Sequence, residues 1–403
     1  MNPKLRVHVA IIGRSRPNTH RSWRTNQAFV GFGGVGKAFL RQLLDLCVAR
    51  SQHQDIRLVY LSTSSRSLST PDYRHLTDGF DDCVHELSQS DHKPMQKESL
   101  LSFLTTGGFP SILVDNTSSA LISDAYPEYL RHGISVITPN KKAFSGAQAE
   151  WDSVFGSAYP SNPSGGRLFH ESTVGAGLPV ICTIKDLVAT GDKVTRIEGI
   201  FSGTMSFLFN SFAPAGGMTD GAETPSWSEA VRTAKQLGYT EPDPRDDLNG
   251  LDVARKCVIV ARLAGLKPDS PAEGKFPIQS LIPKPLASCK DGDEFMMKLP
   301  DFDTEMHNVK VAAENAGKVV RYVGSVDATA DDGRGAVKVG LQQFDPTHPI
   351  AALKGSDNIF SIYTTRYGSS PLIIQGAGAG AGVTAMGVTA DLIRVLDGLP
   401  HPV

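Results

Sequence analysis

The densest group of residues able to do chemistry lies at positions 241–256, where acids and prolines precede a lysine. Asp252 and Lys256 are four residues apart on a predicted helix and therefore lie on one face of it. With Glu241 and Asp247 on the proline-rich segment before the helix, they could bind a zwitterionic amino acid and supply a proton donor. Two plainer interpretations stay open: an exposed ion pair worth about 0.3–0.5 kcal/mol, and carboxylates that interact with a helix N-terminus.

A glycine motif, GxGxxG, occupies residues 31–36 and runs into a helical pattern. Such a motif brings backbone N–H groups and a helix N-terminus to a pyrophosphate, so Gly33 and Gly36 predict a dinucleotide site. Alone the motif is a weak signal, because glycine-rich turns are common. Strands before and after the helix strengthen it.

The segment after the second predicted strand bears on the choice of cofactor. An NAD-specific site usually has an acid there for the ribose 2′-hydroxyl, but residues 60–66 contain hydroxyls and Arg66 and no acid. Because a guanidinium pairs bidentately with phosphate, Arg66 favours NADPH, with NADH as the second choice. A solvated loop arginine is the alternative interpretation.

Polar residues also follow two further predicted strands. Thr117 and Ser118, within residues 115–119, offer hydrogen bonds at a strand end, where nucleotides bind in open α/β sheets. The same residue types equally favour a helix N-cap. Lys141 ends the next strand and can either reach into the crevice or belong to a solvated basic turn.

The order of elements indicates the fold class. Strand-like runs alternate with helical patterns in the first part of the chain, which is typical of a parallel, doubly wound sheet; these runs are residues 7–12, 56–61, 111–114 and 134–137. Later, helices are predicted at 180–188, 228–237 and 250–264 and strands at 194–201 and 319–345, while prolines in 238–247 exclude regular helix. We predict an α/β protein with a Rossmann-type nucleotide-binding domain at 1–172 and an α+β catalytic and dimerisation domain with a mixed β-sheet at 173–375. A C-terminal helix at 376–403 is expected to return to the first domain.

Residues 14–30 interrupt the first predicted unit, because a Rossmann strand runs directly into its glycines. The segment has four Arg, no acid and no apolar periodicity, and without it and one flanking glycine the chain would read VAIIGFGGVG. It could be a surface excursion, a targeting sequence or retained non-coding sequence, and we favour the last. Because the interruption is expected to weaken nucleotide binding, a catalytically impaired NADPH-binding protein is the alternative function.

The composition excludes several classes of protein. The 403 residues are 40% hydrophobic and 20% charged with a formal net charge of −2, which indicates two or three globular domains and neither a nucleic-acid nor a membrane partner. Five scattered cysteines without a CxxC pair indicate neither a disulfide framework nor structural zinc. No apolar run approaches the roughly 18 residues of a membrane span, so we predict a soluble, cytoplasmic protein.

Several motifs, in order along the chain, resemble those of homoserine dehydrogenases of the monofunctional fungal type. They are VDNTSS at 114–119, TPNKKAF at 138–144, HESTVGAGLP at 170–179, EGIFSGT at 198–204, LGYTEPDP at 237–244 continuing to Lys256, KGSDN at 354–358 and QGAGAG at 375–380. The resemblance covers nearly the whole chain except 14–30.

The resemblance implies the NAD(P)H-dependent interconversion of L-aspartate 4-semialdehyde and L-homoserine, in threonine and methionine biosynthesis. It implies that Lys256 donates a proton to the aldehyde oxygen, with Asp252 and Lys141 completing the catalytic group and Lys141 at the junction of cofactor and substrate. Glu241 and Asp252 would bind the substrate, and Asp247 would support them as a further carboxylate of that site.

The resemblance also implies cofactor, cation and subunit contacts. Its nucleotide contacts fall on Phe32, Gly34, Val35, Thr117, Gly238 and Gly380. Its monovalent cation, a sodium held largely by backbone carbonyls, falls on Glu171, Val174, Ala176 and Leu178, and oxygen ligands suit such a hard cation. A homodimer is implied, formed through a β region to which the strands of 319–345 would contribute.

Overall fold

The computed structural model describes residues 24–50, 55–76, 79–216, 224–330 and 336–399. The chain divides into two compact units. Unit 1 comprises Met1–Phe144, Ala149–Gly177 and Gly380–Val403, and unit 2 comprises Ser145–Gln148 and Leu178–Ala379. Among the helices in these ranges, none is long and apolar enough to cross a membrane.

The strands fall into one sheet per unit. Those of unit 1 are β1 Arg24–Val30, β2 Asp55–Ser62, β3 Ser67–Ser69, β4 Ser111–Asp115, β5 Ser135–Ile137 and β6 Leu168–Phe169. Those of unit 2 are β7 Val194–Ile200, β8 Val319–Asp327, β9 Ala336–Phe344, β10 Asp357–Thr364 and β11 Leu372–Ala377.

The described residues form sixteen α-helices. In chain order the described ones are α1 Gly34–Arg50, α2 Phe80–Gln89, α3 Lys97–Thr106, α4 Ala120–Ser123, α5 Tyr126–Arg131, α6 Lys142–Ser145, α7 Gln148–Ser157, α8 Val180–Ala189, α9 Gly203–Phe212, α10 Trp227–Gln236, α11 Arg245–Leu248, α12 Leu251–Leu263, α13 Gly292–Lys298, α14 Asp303–Asn315, α15 Pro349–Ala352 and α16 Ala381–Asp397.

The sheet of unit 1 has the order β3-β2-β1-β4-β5-β6 in the described residues. Its neighbours pair in parallel, except that β3 is antiparallel to β2. The strand order reverses between β1 and β4, and in α/β sheets a ligand crevice opens at such a point. The prediction of a Rossmann-type unit in an α/β protein is confirmed.

The first strand differs from the one predicted. Residues 7–12 and the first part of 14–30 lie outside the described residues, but the last seven residues of that segment form β1. The prediction that 14–30 as a whole interrupts the unit is therefore wrong from Arg24 onward. Burial of Phe29 favours this placement of β1. The centroid of its ring lies 5.3 Å from that of Phe39 in α1, in a core that also includes Val388 and Leu392 of α16.

The sheet of unit 2 has the order β11-β10-β7-β8-β9 among the described strands, and every neighbouring pair is antiparallel. A mixed sheet was expected here, yet the parallel pairing that the described part of unit 2 contains is a single bridge between Ile278 and Val339. For two of the four neighbouring pairs the reason is connectivity. β8 and β9, like β10 and β11, follow each other through short connections, which suit antiparallel neighbours but not a parallel crossover.

Most of the other predicted elements are confirmed. Strands β2, β4, β5 and β7 and helices α8, α10 and α12 lie where the apolar patterns place them. One detail within 238–247 differs, because α11 begins at Arg245 directly after Pro244. A proline at a helix start loses no intrahelical hydrogen bond, so it excludes helix before this point but not after it.

Candidate active site

The glycine turn of unit 1 connects β1 directly to α1. Gly31 has a φ of +91°, and a Cβ atom there would lie 2.7 Å from Thr117 Cγ2. A Cβ atom on Gly36 would lie 2.2 Å from the Gly31 carbonyl oxygen, whereas one on Gly33 would meet no described atom within 4 Å. Packing therefore requires glycine at positions 31 and 36, while Gly33 leaves open space in which a ligand can approach the backbone.

The other residues predicted at this turn have different surroundings. The Phe32 ring is buried and stands edge-on to Phe29, so it belongs to the core. Gly34 and Val35 form the first turn of α1, whose N–H groups are available to an anion. Gly380 precedes α16, and a Cβ atom on Gly34 would lie only 3.7 Å from the Ala381 side chain, so the structure brings the start of α16 to the glycine turn.

A cleft of about 840 Å³ opens beside this turn, at the carboxyl ends of β1, β2 and β4. Its wall combines backbone and hydroxyl groups with apolar side chains, and includes Gly31, Ser62, Thr63, Thr117, Ser118 and Met95. Such a wall suits a nucleoside, which has an apolar base and hydroxyl-bearing sugars. Arg66 is exposed and does not line the cleft, although its backbone closes a turn with Thr63 next to it.

The segments after β4 and β5 hold the next candidate residues. Thr117 is half-buried and Ser118 is exposed, and both face the cleft. The N-cap interpretation of this segment is not supported, because Ser119 stands at the cap of α4 without a side-chain cap hydrogen bond. Lys141 is half-buried at the end of the segment between β5 and α6.

Lys256 of unit 2 is held by two oxygen atoms. Its ammonium nitrogen lies 2.7 Å from Asp252 Oδ2 and donates a hydrogen bond of 2.8 Å to the Phe201 carbonyl. The Lys256 side chain is only 11% exposed and that of Asp252 is 40% exposed. The interpretation as an exposed helical ion pair therefore does not fit, because the cation is withdrawn from solvent and has a partner 55 residues away.

Asp247 connects the proline-rich segment to α9. Its Oδ1 accepts a hydrogen bond of 3.1 Å from the Thr204 hydroxyl, and its Oδ2 accepts one of 2.8 Å from the Glu241 backbone N–H. Burial raises the pKa of the Asp247 carboxyl, and the charges of Glu241 and Asp252 act in the same direction, against the hydrogen bonds that lower it. Glu241 and Gly238 are exposed on the same segment.

The predicted cation ligands are divided between the units. Glu171, Val174 and Ala176 are buried in unit 1, and Leu178 is the first residue of the longer segment of unit 2. Gly175 and Ala176 both have positive φ values, +75° and +54°, so the backbone turns sharply here. The Glu171 carboxylate lies 3.3 Å from Arg394. Backbone carbonyls are oxygen donors of the kind that a hard monovalent cation prefers, whereas the Glu171 carboxylate already pairs with Arg394.

Two residues of the candidate site, Phe201 and Thr204, are not predicted from the sequence as hydrogen-bond partners of Lys256 and Asp247. The Phe201 carbonyl accepts from Lys256, and the Thr204 hydroxyl donates to Asp247 and to the Tyr239 carbonyl. Both residues belong to the motif at 198–204, which was noted only as part of a resemblance. The detectable signal was Ser202, whose side chain caps α9 and so indicates a chain turn at this point.

Two family models match the chain. The model described as homoserine dehydrogenase matches residues 179–393, and the model described as homoserine dehydrogenase, NAD binding domain, matches residues 31–162. The second match begins at the first glycine of the turn. Together they cover the glycine turn and the Lys256 site but not residues 163–178, which contain the predicted cation ligands.

Individual proteins give the same result. The homoserine dehydrogenase of Emericella nidulans is 53% identical over 92% of this chain and 98% of its own length, and that of Saccharomyces cerevisiae is 48% identical over 92% and 97%. A crystal structure of a Candida auris protein of unknown function superposes with a TM-score of 0.82 at 44% identity, covering 93% of this chain and 99% of that one. This chain belongs to the homoserine dehydrogenase family, whose members are NAD(P)-dependent oxidoreductases.

Proposed function

We propose that this protein interconverts L-aspartate 4-semialdehyde and L-homoserine with NADPH, as a step of threonine and methionine biosynthesis. The observation that carries the proposal is the shielded Lys256 ammonium, held between Asp252 Oδ2 and the Phe201 carbonyl. The catalytically impaired alternative depended on an interrupted glycine turn. Since β1 enters Gly31 without interruption, the described residues give it no support.

The residues of unit 2 can supply the acid–base part of this reaction. The reduced nicotinamide, when bound, supplies a hydride to the aldehyde carbon. Lys256 stabilises the negative charge that develops on the carbonyl oxygen and then donates a proton to it. Asp252 orients the lysine ammonium through the 2.7 Å contact between them. Glu241 offers an exposed carboxylate to the substrate ammonium, and Asp247 holds the backbone of Glu241 in place.

Substitution of Lys256 tests the proposal, and the chain offers a matched control. Lys298 forms a pair with Glu294 at the same spacing and the same 2.7 Å, but its side chain is 50% exposed. We expect Lys256→Ala to lower kcat for NADP-dependent oxidation of homoserine about 100-fold or more, with a smaller effect on KM. Lys298→Ala should leave both constants unchanged. Near-normal turnover in Lys256→Ala would contradict the proposed role.

The finer features of the proposal are the cofactor, the cation, the subunit number and the location. NADPH is preferred in this proposal because residues 60–66 lack an acid and contain Arg66. Sodium is assigned to the sharp turn at Gly175 and Ala176, and a homodimer follows from the family resemblance. A cytoplasmic location fits the five cysteines, which are all free. Activity measured with sodium or potassium salts, and sedimentation velocity, test the cation and the dimer.

A further inference from the structure

Asp115 is a buried carboxylate at the centre of the cleft edge. It is the last residue of β4 and lies opposite Val30, the last residue of β1, in the parallel register. Its side chain is completely buried. Asp115 does not line the cleft and takes no part in the proposed chemistry.

Three neutral groups donate hydrogen bonds to the Asp115 carboxylate. Its Oδ1 accepts from the Thr117 backbone N–H at 2.8 Å. Its Oδ2 accepts from the Tyr126 hydroxyl at 2.5 Å and from Asn140 Nδ2 at 3.2 Å. The carboxylate therefore joins the segment after β4, the segment after β5 and helix α5.

Further hydrogen bonds make this junction stiff. The Thr138 hydroxyl donates to the Asp115 carbonyl at 2.8 Å and accepts from the Asn140 backbone N–H at 2.8 Å. Asn140 Nδ2 also donates to the Ser119 carbonyl at 2.9 Å. The segment after β4 and the segment after β5 are therefore joined by more than one hydrogen bond, and the Asp115 carboxylate between them is shielded from water.

Lys141 lies between two residues of this network. Asn140, on one side of it, is bonded to Asp115, and Asn140 Oδ1 accepts from the backbone N–H of Lys142 on the other side at 3.2 Å. The backbone position of Lys141 therefore depends on the position of Asn140, and through it on Asp115.

Fold stability alone is a poor explanation for an acid at this place. A carboxylate buried without a cationic partner is expensive, and a neutral side chain of similar size usually serves stability better. Burial raises the pKa of Asp115, and its three donors act against this rise. What only the carboxylate provides here is acceptor capacity for three donors at once, with each donor on a different element.

We propose that Asp115 is a positioning residue, which fixes Thr117 and Lys141 relative to each other for the nicotinamide cofactor. This inference rests on the proposed function, because Thr117 and Lys141 are cofactor residues only within that proposal. It adds a residue that touches neither cofactor nor substrate but sets the geometry of two residues that do.

The test uses two variants of different severity. Asp115→Asn replaces one acceptor oxygen of the carboxylate with a donor and so leaves at least one of its three partners without an acceptor, and Tyr126→Phe removes a single donor without changing the ring volume. Because displacement of a catalytic group by about 1 Å can reduce turnover roughly 100-fold, we expect Asp115→Asn to lower kcat about 10- to 100-fold. Tyr126→Phe should cause a smaller change in the same direction. The dissociation constant of NADPH, from calorimetric titration, should rise in both.

A matched control separates positioning from stability. Thr364 donates a hydrogen bond of 2.7 Å to the buried Asp192 carboxylate in unit 2, so Thr364→Val likewise removes one neutral donor from a carboxylate. It should lower the thermal midpoint and leave kcat and the NADPH dissociation constant unchanged. If Tyr126→Phe behaves like this control, with a lower midpoint but unchanged constants, the inference is overturned.

A double-mutant cycle tests the route through Lys141. If Asp115 acts by placing Lys141, the effects of Asp115→Asn and Lys141→Ala on kcat should be clearly less than additive. Fully additive effects would overturn the inference, and if Asp115→Asn does not fold, Tyr126→Phe takes its place in the cycle. Wild-type protein without homoserine-dependent activity would contradict the proposed function instead, and Asp115 would then be judged by NADPH affinity alone.

Discussion

The replacement of Asn26 by leucine tests the placement of the central strand. Asn26 is completely buried in β1, and both polar atoms of its side chain have no hydrogen-bond partner among the described residues. The side chain packs closely, because a Cβ atom on Gly107 would lie 2.1 Å from Asn26 Nδ2. Asn26→Leu keeps the branched shape and removes both polar atoms.

The magnitude follows from the desolvation of the amide. An unsatisfied buried polar group destabilises a fold by about 1–3 kcal/mol, and Asn26 has two such atoms. Tight packing against Gly107 works against the larger methyl groups of leucine, and overpacking costs about 1–3 kcal/mol. We therefore expect Asn26→Leu to raise the free energy of unfolding by about 2 kcal/mol.

The assay is urea unfolding followed by tryptophan fluorescence, with Asn140→Leu as the matched control. Asn140 is also a buried asparagine at this sheet, but its amide donates to Asp115 and to the Ser119 carbonyl. The same substitution should therefore stabilise the protein at position 26 and destabilise it at position 140. An unchanged or lower stability of Asn26→Leu would refute the reasoning, because the two unsatisfied atoms would then cost less than the overpacking by leucine.

The remaining predictions concern the segment before the glycines, the cofactor and the pH dependence of stability. Deleting residues 13–30 removes β1 and joins the apolar run 7–12 to Gly31; because β1 already enters Gly31 directly, we expect no fall in the NADPH dissociation constant by calorimetry, and a clear fall would show that residues 7–12 make the better strand before the glycines. Arg66→Ala should raise the KM for NADPH about 10-fold, the value of one charge-assisted hydrogen bond, and leave the KM for NADH unchanged; equal effects on both would remove Arg66 from the phosphate site. Burial lowers the pKa of His75 from 6.5 to about 4, so the folded state binds fewer protons than the unfolded state between these values. The stability contributed by His75 should be complete above pH 6.5 and fall by up to about 3 kcal/mol as the pH drops towards 4, and His75→Gln should flatten this part of a urea-unfolding series.

Local features could be predicted from the sequence because they depend on neighbours along the chain. The apolar runs of β2 and β4 and the period of α12 identified these elements, and the glycine spacing of 31–36 identified the turn. The four-residue spacing of Asp252 and Lys256 placed both on one helical face, and their side chains are in contact at 2.7 Å. In each case the residues that determine the feature lie within one strand or within one or two helical turns.

Only the tertiary structure decided which distant groups complete these local features. Lys256 finds its second oxygen in the Phe201 carbonyl, and Asp115 joins Asn140 across two strands. Nor could the sequence choose the central strand, since residues 7–12 have the better apolar pattern and residues 24–30 have the direct connection to Gly31. Partners of this kind depend on sheet order and on the packing of helices against the sheets, and these are settled by the summed burial of many side chains rather than by the spacing of a few.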